Sequence, residues 1–212
     1  MTNFPPMIAS IMCGGKGSRM KHGSSIEKPM LLIRGKPMVE CVLNAVVGSR
    51  KFSFVFAVTS CYTPTTTLYL KSHMYCLSGI VGLMNTSGAD YSTDLGQLIE
   101  LLKPSRLFVV PSDTPLLNIE TIHDILKYWK PTTPCVSVIL EKDFVERLGI
   151  KPSIVIRDKG AEYCHSGISI IDTSKVTAGS QINETYIILN RKEIAFNINT
   201  QDDLAAINTE IS

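Results

Sequence analysis

A glycine-rich turn follows a short apolar segment close to the start of the chain. The segment Met7–Met12 has the length and composition of a buried β-strand. The chain then turns through Gly14, Gly15 and Gly17, which can adopt left-handed backbone angles and let a ligand lie close to the main chain. Successive free N–H groups in such a turn form a concave binding site for an anion. We therefore expect a strand end and an anion-binding turn at one edge of the predicted sheet.

Cationic side chains surround this turn. Lys16, Arg19 and Lys28 flank the glycines, and Pro29 ends the stretch. Arginine offers a planar fork for phosphate oxygens, whereas lysine acts as a compact point charge. Together these residues predict a cradle for a polyphosphate. The alternative is a basic surface turn that binds nothing, but such a turn has no use for cations clustered around glycines.

Two familiar phosphate-binding motifs do not fit this stretch. The P-loop requires G-x-x-x-x-G-K-[ST], and here no lysine followed by serine or threonine closes the turn. The dinucleotide fingerprint requires G-x-G-x-x-G, but Gly15-x-Gly17 is followed by Met20 rather than by a third glycine.

The stretch resembles instead the signature loop of nucleotidyltransferases with a Rossmann-like fold, which reads G-G-x-G-x-R-M and, after a short spacer, K-P. The corresponding residues here are Gly14-Gly15-Lys16-Gly17-Ser18-Arg19-Met20 and then Glu27-Lys28-Pro29. The resemblance implies that Cys13, the loop Gly14 to Arg19 and Lys28 bind a nucleotide. It also implies catalytic roles for Lys16, Arg19 and Lys28.

Length and composition favour one globular domain over residues 1–212. The chain is 44% hydrophobic and 19% charged, which suits a sizeable core. Its net charge of +2 gives no broad electrostatic reason to bind nucleic acid or an anionic membrane. No apolar run approaches the roughly 18 residues that span a bilayer, so we expect no membrane insertion. The first residues also lack the pattern of a secretory signal.

The cysteines predict reduced thiols and a cytoplasmic location. There are six, at irregular spacings and without a C-x-x-C motif, in a chain long enough to fold without a disulfide framework. Cys13 lies inside the predicted cradle. It is either a reactive thiol or, as we favour, a small residue that closes the strand.

Strands and helices alternate through the first two thirds of the chain. Strands are predicted at 7–12, 52–58, 80–84, 106–110 and 135–140, and helices at 37–47, 64–75, 92–102 and 118–130. Threonines at the start of the second helix are candidates for its N-cap. This order predicts an α/β fold, a Rossmann-like three-layer αβα sandwich with a mostly parallel central sheet.

The last third has a different pattern. Residues 143–152 are expected to be irregular, and strands are predicted at 153–156, 164–171 and 185–189. A terminal helix is predicted at 201–207, with Thr200 as its N-cap and Asp203 three residues on. We interpret these segments as a small antiparallel C-terminal part, whose edge is a candidate homodimer contact.

Asp113 ends the fourth predicted strand in the sequence P-S-D-T-P-L. Ligands bind beyond the carboxyl ends of the strands in doubly wound sheets, so this carboxylate should face the phosphate cradle. It is therefore a candidate ligand for Mg²⁺, which takes one or two carboxylates and completes its shell with phosphates and water. The alternative is an Asx turn before Pro115. Asp90, Asp94 and Asp172 are candidates for a second carboxylate.

These residues suit nucleotidyl transfer, in which a substrate phosphate attacks the α-phosphorus and pyrophosphate leaves. Arg19 and Lys16 would stabilise the triphosphate and leaving group, and Lys28 would stabilise charge on the α-phosphate. No general base is needed if the nucleophile is an ionised phosphate. This agrees with four histidines that we interpret as surface or structural residues: His22, His73, His123 and His165.

A narrower resemblance rests on two further stretches. They are Thr86-Ser87-Gly88-Ala89-Asp90-Tyr91 with Asp94-Leu95, and Phe196-Asn197-Ile198-Asn199-Thr200 with Asp203-Leu204. With them the chain resembles the archaeal-type GTP:adenosylcobinamide-phosphate guanylyltransferases of cobamide synthesis. The N-I-N-T-x-x-D-L ending is shared with nucleotidyltransferases of molybdenum cofactor synthesis, so it discriminates weakly between the two groups.

The narrower resemblance implies transfer of GMP from GTP to adenosylcobinamide phosphate. It implies that Thr86, Ser87, Gly88 and Asp94 belong to the nucleotide site, with Ser87 and Gly88 beside the guanine or ribose; an ordinary loop before a helix is the alternative.

The substrate-binding candidates are Asn197, Asn199 and Gly167. The asparagines either reach the substrate phosphate or metal, or only bridge two backbone turns. Gly167 either admits the cobinamide to the backbone or forms a strand bulge.

Three hypotheses about function follow. The first is the corrinoid-phosphate guanylyltransferase with Mg²⁺. The second is a guanylyl- or cytidylyltransferase of molybdenum cofactor synthesis. The third is a nucleotide-binding sensor without catalysis.

Overall fold

The fold is built around a mixed eight-stranded sheet. The computed structural model describes residues 6–15, 26–152, 154–158, 160–177 and 182–210. The strands are β1 Met7–Met12, β2 Leu32–Ile33, β3 Lys36–Pro37, β4 Phe54–Ser60, β5 Val81–Thr86, β6 Arg106–Pro111, β7 Cys135–Glu141, β8 Val155–Asp158, β9 Ala161–Asp172 and β10 Glu184–Ile188. The helices are α1 Met38–Gly48, α2 Pro64–Ser72, α3 Met74–Leu77, α4 Tyr91–Leu101, α5 Ile119–Leu126, α6 Lys142–Arg147, α7 Lys192–Ala195 and α8 Gln201–Glu210.

The sheet has the order β10-β7-β9-β6-β1-β4-β5, with β8 paired to β9. Strands β1, β4, β5 and β6 pair in parallel, as do β7 and β10. Strand β9 runs antiparallel between β6 and β7. The register sets Met12 opposite both Val58 and Pro111, so the carboxyl ends of β1, β4 and β6 meet at one edge. Strands β2 and β3 form a separate two-stranded antiparallel sheet.

Apolar side chains on successive residues of one strand enter two separate cores. In β6, Phe108 and Val110 pack into the larger core, whereas Leu107 and Val109 pack into the smaller one on the other face. Helix α1 covers the first face and helix α4 the second, because each buries one apolar stripe. The structure thus confirms the predicted three-layer arrangement with a mostly parallel sheet.

Most predicted elements lie within two or three residues of their observed bounds, but three predictions were wrong. The segment expected to be irregular contains α6, which Val145 anchors in the core. The second helix ends at Ser72, and α3 follows separately. Helix α5 ends at Leu126 rather than near residue 130.

The terminal helix is capped as predicted. The backbone N–H of Asp203 donates to Thr200 Oγ1 at 3.1 Å, and the backbone N–H of Thr200 donates to Asp203 Oδ2 at 2.8 Å. The C-terminal edge strand is β10, which pairs in parallel with β7. A single domain over 1–212 and a homodimer both stay predictions. Within the described residues, no helix is long and apolar enough to cross a membrane.

Candidate active site

A cleft of about 660 Å³ lies along the edge of the sheet where β1, β4 and β6 end. Its wall includes the turn after β1, the segment from Pro111 to Asp113, and Gly88 after β5. On the other side it includes Lys28, Asn197 and Asn199. The rule that ligands bind beyond the carboxyl ends of parallel strands therefore places a ligand here.

The turn after β1 is packed tightly against the end of β4. The backbone N–H of Cys13 donates to the Val58 carbonyl at 2.8 Å, and Ser60 Oγ donates to the Gly14 carbonyl at 2.7 Å. A Cβ at Gly14 would lie 3.1 Å from Ser60 Cβ, so a side chain there would press on β4. The first part of the predicted cradle, Gly14 and Gly15, thus lines the cleft. Lys16, Gly17, Ser18, Arg19 and His22 lie outside the described residues.

Cys13 lines the same cleft as a buried, protonated thiol. Burial raises the pKa of Cys13 to about 12, because the thiolate would lose its hydration. Its thiol donates to the Ile11 carbonyl at 3.4 Å. These contacts favour the interpretation of a small residue that closes the strand, since a reactive cysteine requires an accessible thiolate.

Lys28, Asp113 and Asn199 form a polar cluster at the centre of the cleft. Lys28 Nζ donates to Asp113 Oδ2, and it donates to Asn199 Oδ1 at 2.8 Å. The side chains of Lys28 and Asp113 are each only 16% exposed, so the ion pair is shielded from water. The cluster joins three chain segments that the sequence analysis had picked out separately.

The segment around Asn199 is fixed by its own hydrogen bonds. Asn199 Nδ2 donates to Asn197 Oδ1 at 2.8 Å, and the backbone N–H of Ile198 donates to the Asp113 carbonyl at 2.9 Å. The backbone N–H of Asn199 donates to Asp203 Oδ2 at 2.8 Å. The Asn199 side chain therefore links Asn197 to the ammonium of Lys28, and a contact of either asparagine with the substrate phosphate or a metal stays a prediction.

The chemistry of Asp113 fits a divalent cation. Its second carboxylate oxygen, Oδ1, is buried and has no hydrogen-bond partner among the described residues. A buried carboxylate oxygen without a partner is costly unless a donor or cation satisfies it. No group of three or more His, Cys, Asp or Glu side chains suited to a metal occurs in the part of the chain that is described. This single carboxylate suits Mg²⁺, which accepts few protein ligands when substrate phosphates supply the others.

The other candidates for a second carboxylate have different partners. Asp90 caps helix α4 by accepting from the backbone N–H of Thr93 at 2.9 Å. Asp172 lies at the opposite end of the sheet, where it pairs with Arg106 in register and accepts from Ser174. Asp172 is therefore excluded from this site.

Glu27 holds Lys28 in place, and the sequence analysis missed this role. Glu27 Oε1 accepts from the backbone N–H of Thr65 at 2.7 Å, and Oε2 accepts from the N–H and hydroxyl of Thr66 at 2.7 and 2.6 Å. Burial opposes the charge of Glu27, but the hydrogen bonds from Thr66 and Thr65 outweigh it and lower the pKa of Glu27. The predicted threonine cap was wrong: Thr63 makes no side-chain cap, and Glu27 binds the start of α2 from outside. Its place beside Lys28 in the E-K-P stretch is the one sequence signal.

Gly88 and Asp94 line the end of the cleft beyond β5. The backbone N–H of Gly88 donates to the buried Asp94 Oδ1 at 3.2 Å. Gly88 has a φ of +68°, and a Cβ there would lie 2.8 Å from the Tyr62 ring, so only glycine fits without strain. Thr86 is buried and donates to the Thr59 carbonyl at 3.1 Å, whereas Ser87 is exposed beside the cleft.

Gly167 lies in a bulge of β9 that faces the cleft. The register between β7 and β9 shifts between Ser137 and Ile139, and Gly167 has a φ of +80°. A Cβ at Gly167 would lie 3.1 Å from Pro111 Cγ, so its backbone approaches the end of β6 closely. The bulge is therefore real, and Gly167 also forms part of the cleft wall.

The histidines differ in their positions. His73 caps α3 by accepting from the backbone N–H of Tyr75, and His123 Nε2 lies 3.1 Å from the Ser49 carbonyl oxygen. Both are structural, as expected. His165 instead lines the cleft together with Glu184, which the sequence analysis did not single out. Nothing in the local sequence marks this pair, since the two residues lie on different strands.

Comparison with known proteins identifies a family for most of the chain. Residues 9–152, more than half of the chain, match the family model described as MobA-like NTP transferase domain. A search of curated proteins found no match.

Solved structures with the same fold carry names of several transferases. A hypothetical transferase from Thermus thermophilus is 22% identical, with a TM-score of 0.57 over 81% of this chain and 67% of that one. A putative glucose-1-phosphate thymidylyltransferase from Bacillus anthracis, crystallised with sucrose, is 13% identical, with a TM-score of 0.67 over 96% of this chain and 94% of that one. A CMP:2-keto-3-deoxy-manno-octonic acid synthetase bound to CTP is 14% identical, with a TM-score of 0.66 over 99% and 98% of the two chains. At these identities the similarity concerns the fold.

Proposed function

The chain belongs to the family of MobA-like NTP transferase domains, and from this premise we propose that it transfers GMP from GTP to adenosylcobinamide phosphate and releases pyrophosphate. The observation that carries the proposal is the cluster of Lys28, Asp113 and Asn199 opposite the glycine turn. A cation and a carboxylate at the mouth of a phosphate-binding turn are the groups that a phosphoryl-transfer reaction requires.

The proposed reaction needs positioning and charge stabilisation rather than covalent catalysis. The triphosphate lies along the turn that begins with Gly14 and Gly15, where free backbone N–H groups and the predicted Lys16 and Arg19 receive its oxygens. The acceptor phosphate attacks the α-phosphorus in line, and pyrophosphate leaves as the new phosphoanhydride forms. Lys28, held beside Asp113 by Asn199, stabilises the charge that develops on the α-phosphate.

Asp113 is the proposed ligand for Mg²⁺, through the oxygen that has no partner. Held there, Mg²⁺ would supply positive charge against the phosphate oxygens. Asn199 keeps Lys28 next to this carboxylate, so that the ammonium and the metal ligand face the same phosphates. We place the reaction in the cytoplasm, which the free state of all six cysteines supports.

The choice of adenosylcobinamide phosphate as the acceptor rests on the sequence resemblance of the stretch from Thr86 to Leu95, whose own residues are proposed for the nucleotide. In the structure this stretch contributes Gly88, Asp94 and Leu95 to the cleft wall. The second candidate is guanylyl or cytidylyl transfer in molybdenum cofactor synthesis. The family match supports this second candidate as strongly as the first, because the family is named for that type of enzyme.

Pyrophosphate release tests both candidates in one experiment. The protein is incubated with Mg²⁺ and each of GTP, CTP, ATP and UTP, and with either adenosylcobinamide phosphate or molybdopterin. We expect release only with GTP and adenosylcobinamide phosphate. Release only with molybdopterin would establish the second candidate. Nucleotide binding without turnover on either acceptor would leave a non-catalytic sensor as the function.

A further inference from the structure

The cleft extends past Asp113 over strands β9, β7 and β10, away from the end that holds Gly88. Four polar side chains face it there: Ser137, His165, Ser169 and Glu184. The sheet order brings them together, since β9 separates β6 from β7 and β10 follows β7. None of these residues has a part in the transfer step described above.

The four side chains form two close pairs, one of serines and one of His165 with Glu184. Ser137 Oγ lies 2.9 Å from Ser169 Oγ, and His165 Nε2 lies 3.6 Å from Glu184 Oε2. The pKa of Glu184 is lowered, mainly by His165 and further by the Ser137 hydroxyl, although burial acts in the opposite direction. Glu184 is therefore a carboxylate at neutral pH.

The β9 bulge orients His165 towards Glu184. The backbone N–H of Gly167 donates to His165 Nδ1 at 2.9 Å. A backbone N–H can only donate, so Nδ1 must be the acceptor nitrogen and Nε2 carries the proton in the neutral ring. The Nε2–H group then faces the carboxylate of Glu184, whose side chain lines the cleft and is still 35% exposed.

The chemistry of this wall selects a particular kind of ligand. A carboxylate only accepts hydrogen bonds, so the ligand must supply N–H or O–H donors, and a second anionic group would be repelled. Around the polar cluster the wall is apolar, with Ile154, Ile171 and Ile182. A large body with an apolar surface and uncharged N–H donors matches both properties.

We propose that Glu184 recognises the body of the acceptor by accepting hydrogen bonds from its uncharged N–H donors, with His165 and Ser137 as positioning residues. This inference rests on the proposed function, because the acceptor phosphate must reach Lys28 from this side of the cleft. The carboxamides of a corrinoid and the amino group of a pterin share this donor chemistry. The wall around Glu184 therefore recognises the acceptor, whereas the turn after β1 binds the nucleotide.

Calorimetric titration of Glu184→Gln tests the proposal. The dissociation constants of adenosylcobinamide phosphate, of molybdopterin and of GTP with Mg²⁺ are measured for the wild type, for Glu184→Gln and for a matched control, Glu141→Gln. Glu141 ends the neighbouring strand and pairs with Asn190, away from the cleft wall. We expect Glu184→Gln to weaken one acceptor by about 10- to 100-fold, the range for losing a hydrogen bond to a charged group. GTP binding should stay within twofold in all three proteins.

Each outcome decides the proposal. The proposal is supported if Glu184→Gln loses affinity for one acceptor and Glu141→Gln does not. The acceptor whose binding weakens is then the one that supplies the N–H donors. Equal acceptor affinity in Glu184→Gln and wild type, or no acceptor binding to the wild type, overturns it. His165→Ala should weaken the same acceptor, and His165→Gln, whose amide can still donate, should restore most of the affinity; equal losses would contradict the positioning role.

Pyrophosphate release by the same proteins separates this inference from the proposed function. Acceptor binding that depends on Glu184 without any release would leave the recognition site standing and reject the transferase activity. Pyrophosphate release with the same acceptor KM in wild type and Glu184→Gln would support the transferase activity and reject acceptor recognition by Glu184.

Discussion

Replacing Glu27 by glutamine should both destabilise the protein and slow its reaction. The carboxylate of Glu27 accepts three hydrogen bonds, from the N–H groups of Thr65 and Thr66 and from the Thr66 hydroxyl. Glutamine keeps one acceptor oxygen and turns an NH₂ group towards the remaining donors. It also removes a negative charge from the start of α2, where the helix dipole favours one.

The size of the effect follows from these contacts. A hydrogen bond to a charged group contributes about 1.5–3 kcal/mol, and the charge at a helix start adds about 0.3–1 kcal/mol. Because Glu27 is partly exposed, water can replace some of what is lost, so we expect Glu27→Gln to lower the free energy of unfolding by about 2 kcal/mol. In a chain of this length that corresponds to a fall in Tm of roughly 4–8 °C.

The effect on catalysis comes through Lys28, the next residue. If the lost anchor costs about 1–2 kcal/mol in the alignment of Lys28, kcat falls by about 5- to 30-fold, whereas KM for the nucleotide changes little. Thermal unfolding and steady-state kinetics of Glu27→Gln measure both effects. Glu100→Gln is the control, because Glu100 is exposed at the end of helix α4 and pairs with Lys103 just beyond it. Equal Tm and kcat in the two variants would refute the role of Glu27.

The pH dependence of stability gives a second measure of the same contact. The pKa of Glu27 is lowered below its ordinary value of 4.5 in the folded protein, so its contribution is complete above about pH 4.5 and is lost as the pH falls through the folded pKa. The difference in unfolding free energy between wild type and Glu27→Gln should therefore be constant from pH 7 to 5 and should narrow below about pH 4.5. Urea unfolding measures it, and a difference that does not narrow would contradict the assignment.

Three further substitutions test the rest of the site. Lys28→Ala should lower kcat more than nucleotide affinity, because Lys28 meets charge that develops at phosphorus; a loss of affinity with kcat intact would count against this. Asp113→Asn should remove most of the response of activity to Mg²⁺, and an unchanged magnesium titration would eliminate Asp113 as the ligand. Gly88→Ala should lower the free energy of unfolding by at least about 1–2 kcal/mol, since alanine resists a positive φ and its Cβ would meet Tyr62 and Ser60; urea unfolding with a midpoint like that of the wild type would show that the turn adapts.

The sequence predicted the elements of the fold well because their signals are local. A continuous apolar run marks β6, alternation of Val136, Val138 and Leu140 marks β7, and the apolar stripe of α4 marks its buried face. It missed α6, whose single buried anchor, Val145, leaves almost no periodic pattern. It also predicted β9 as a strand without showing that β9 inserts between β6 and β7, since pairing across the sheet leaves no mark within the strand.

The candidate site shows the same difference between local sequence signals and contacts of remote segments. Lys28, Asp113 and Asn199 each stood out in the sequence by the chemistry of its own motif. The strand-end rule predicted that Asp113 faces the cradle, but the direct bonds of Lys28 to Asp113 and Asn199 were not predictable, because these residues lie 85 and 171 positions away in the chain. Glu27 and Glu184 were missed for a related reason. A carboxylate acquires a role only from the donors beside it, and those donors belong to other elements.

By itself, the sequence determined which segments become strands and helices, and which residues carry charge for phosphate chemistry. Backbone propensity, apolar period and side-chain charge are properties of short stretches, and they act before the chain is folded. Tertiary structure alone decided the order of the strands, the meeting of Lys28 with Asp113, and the tautomer of His165 that faces Glu184. These features depend on distances across the sheet, which only the packing of remote segments sets.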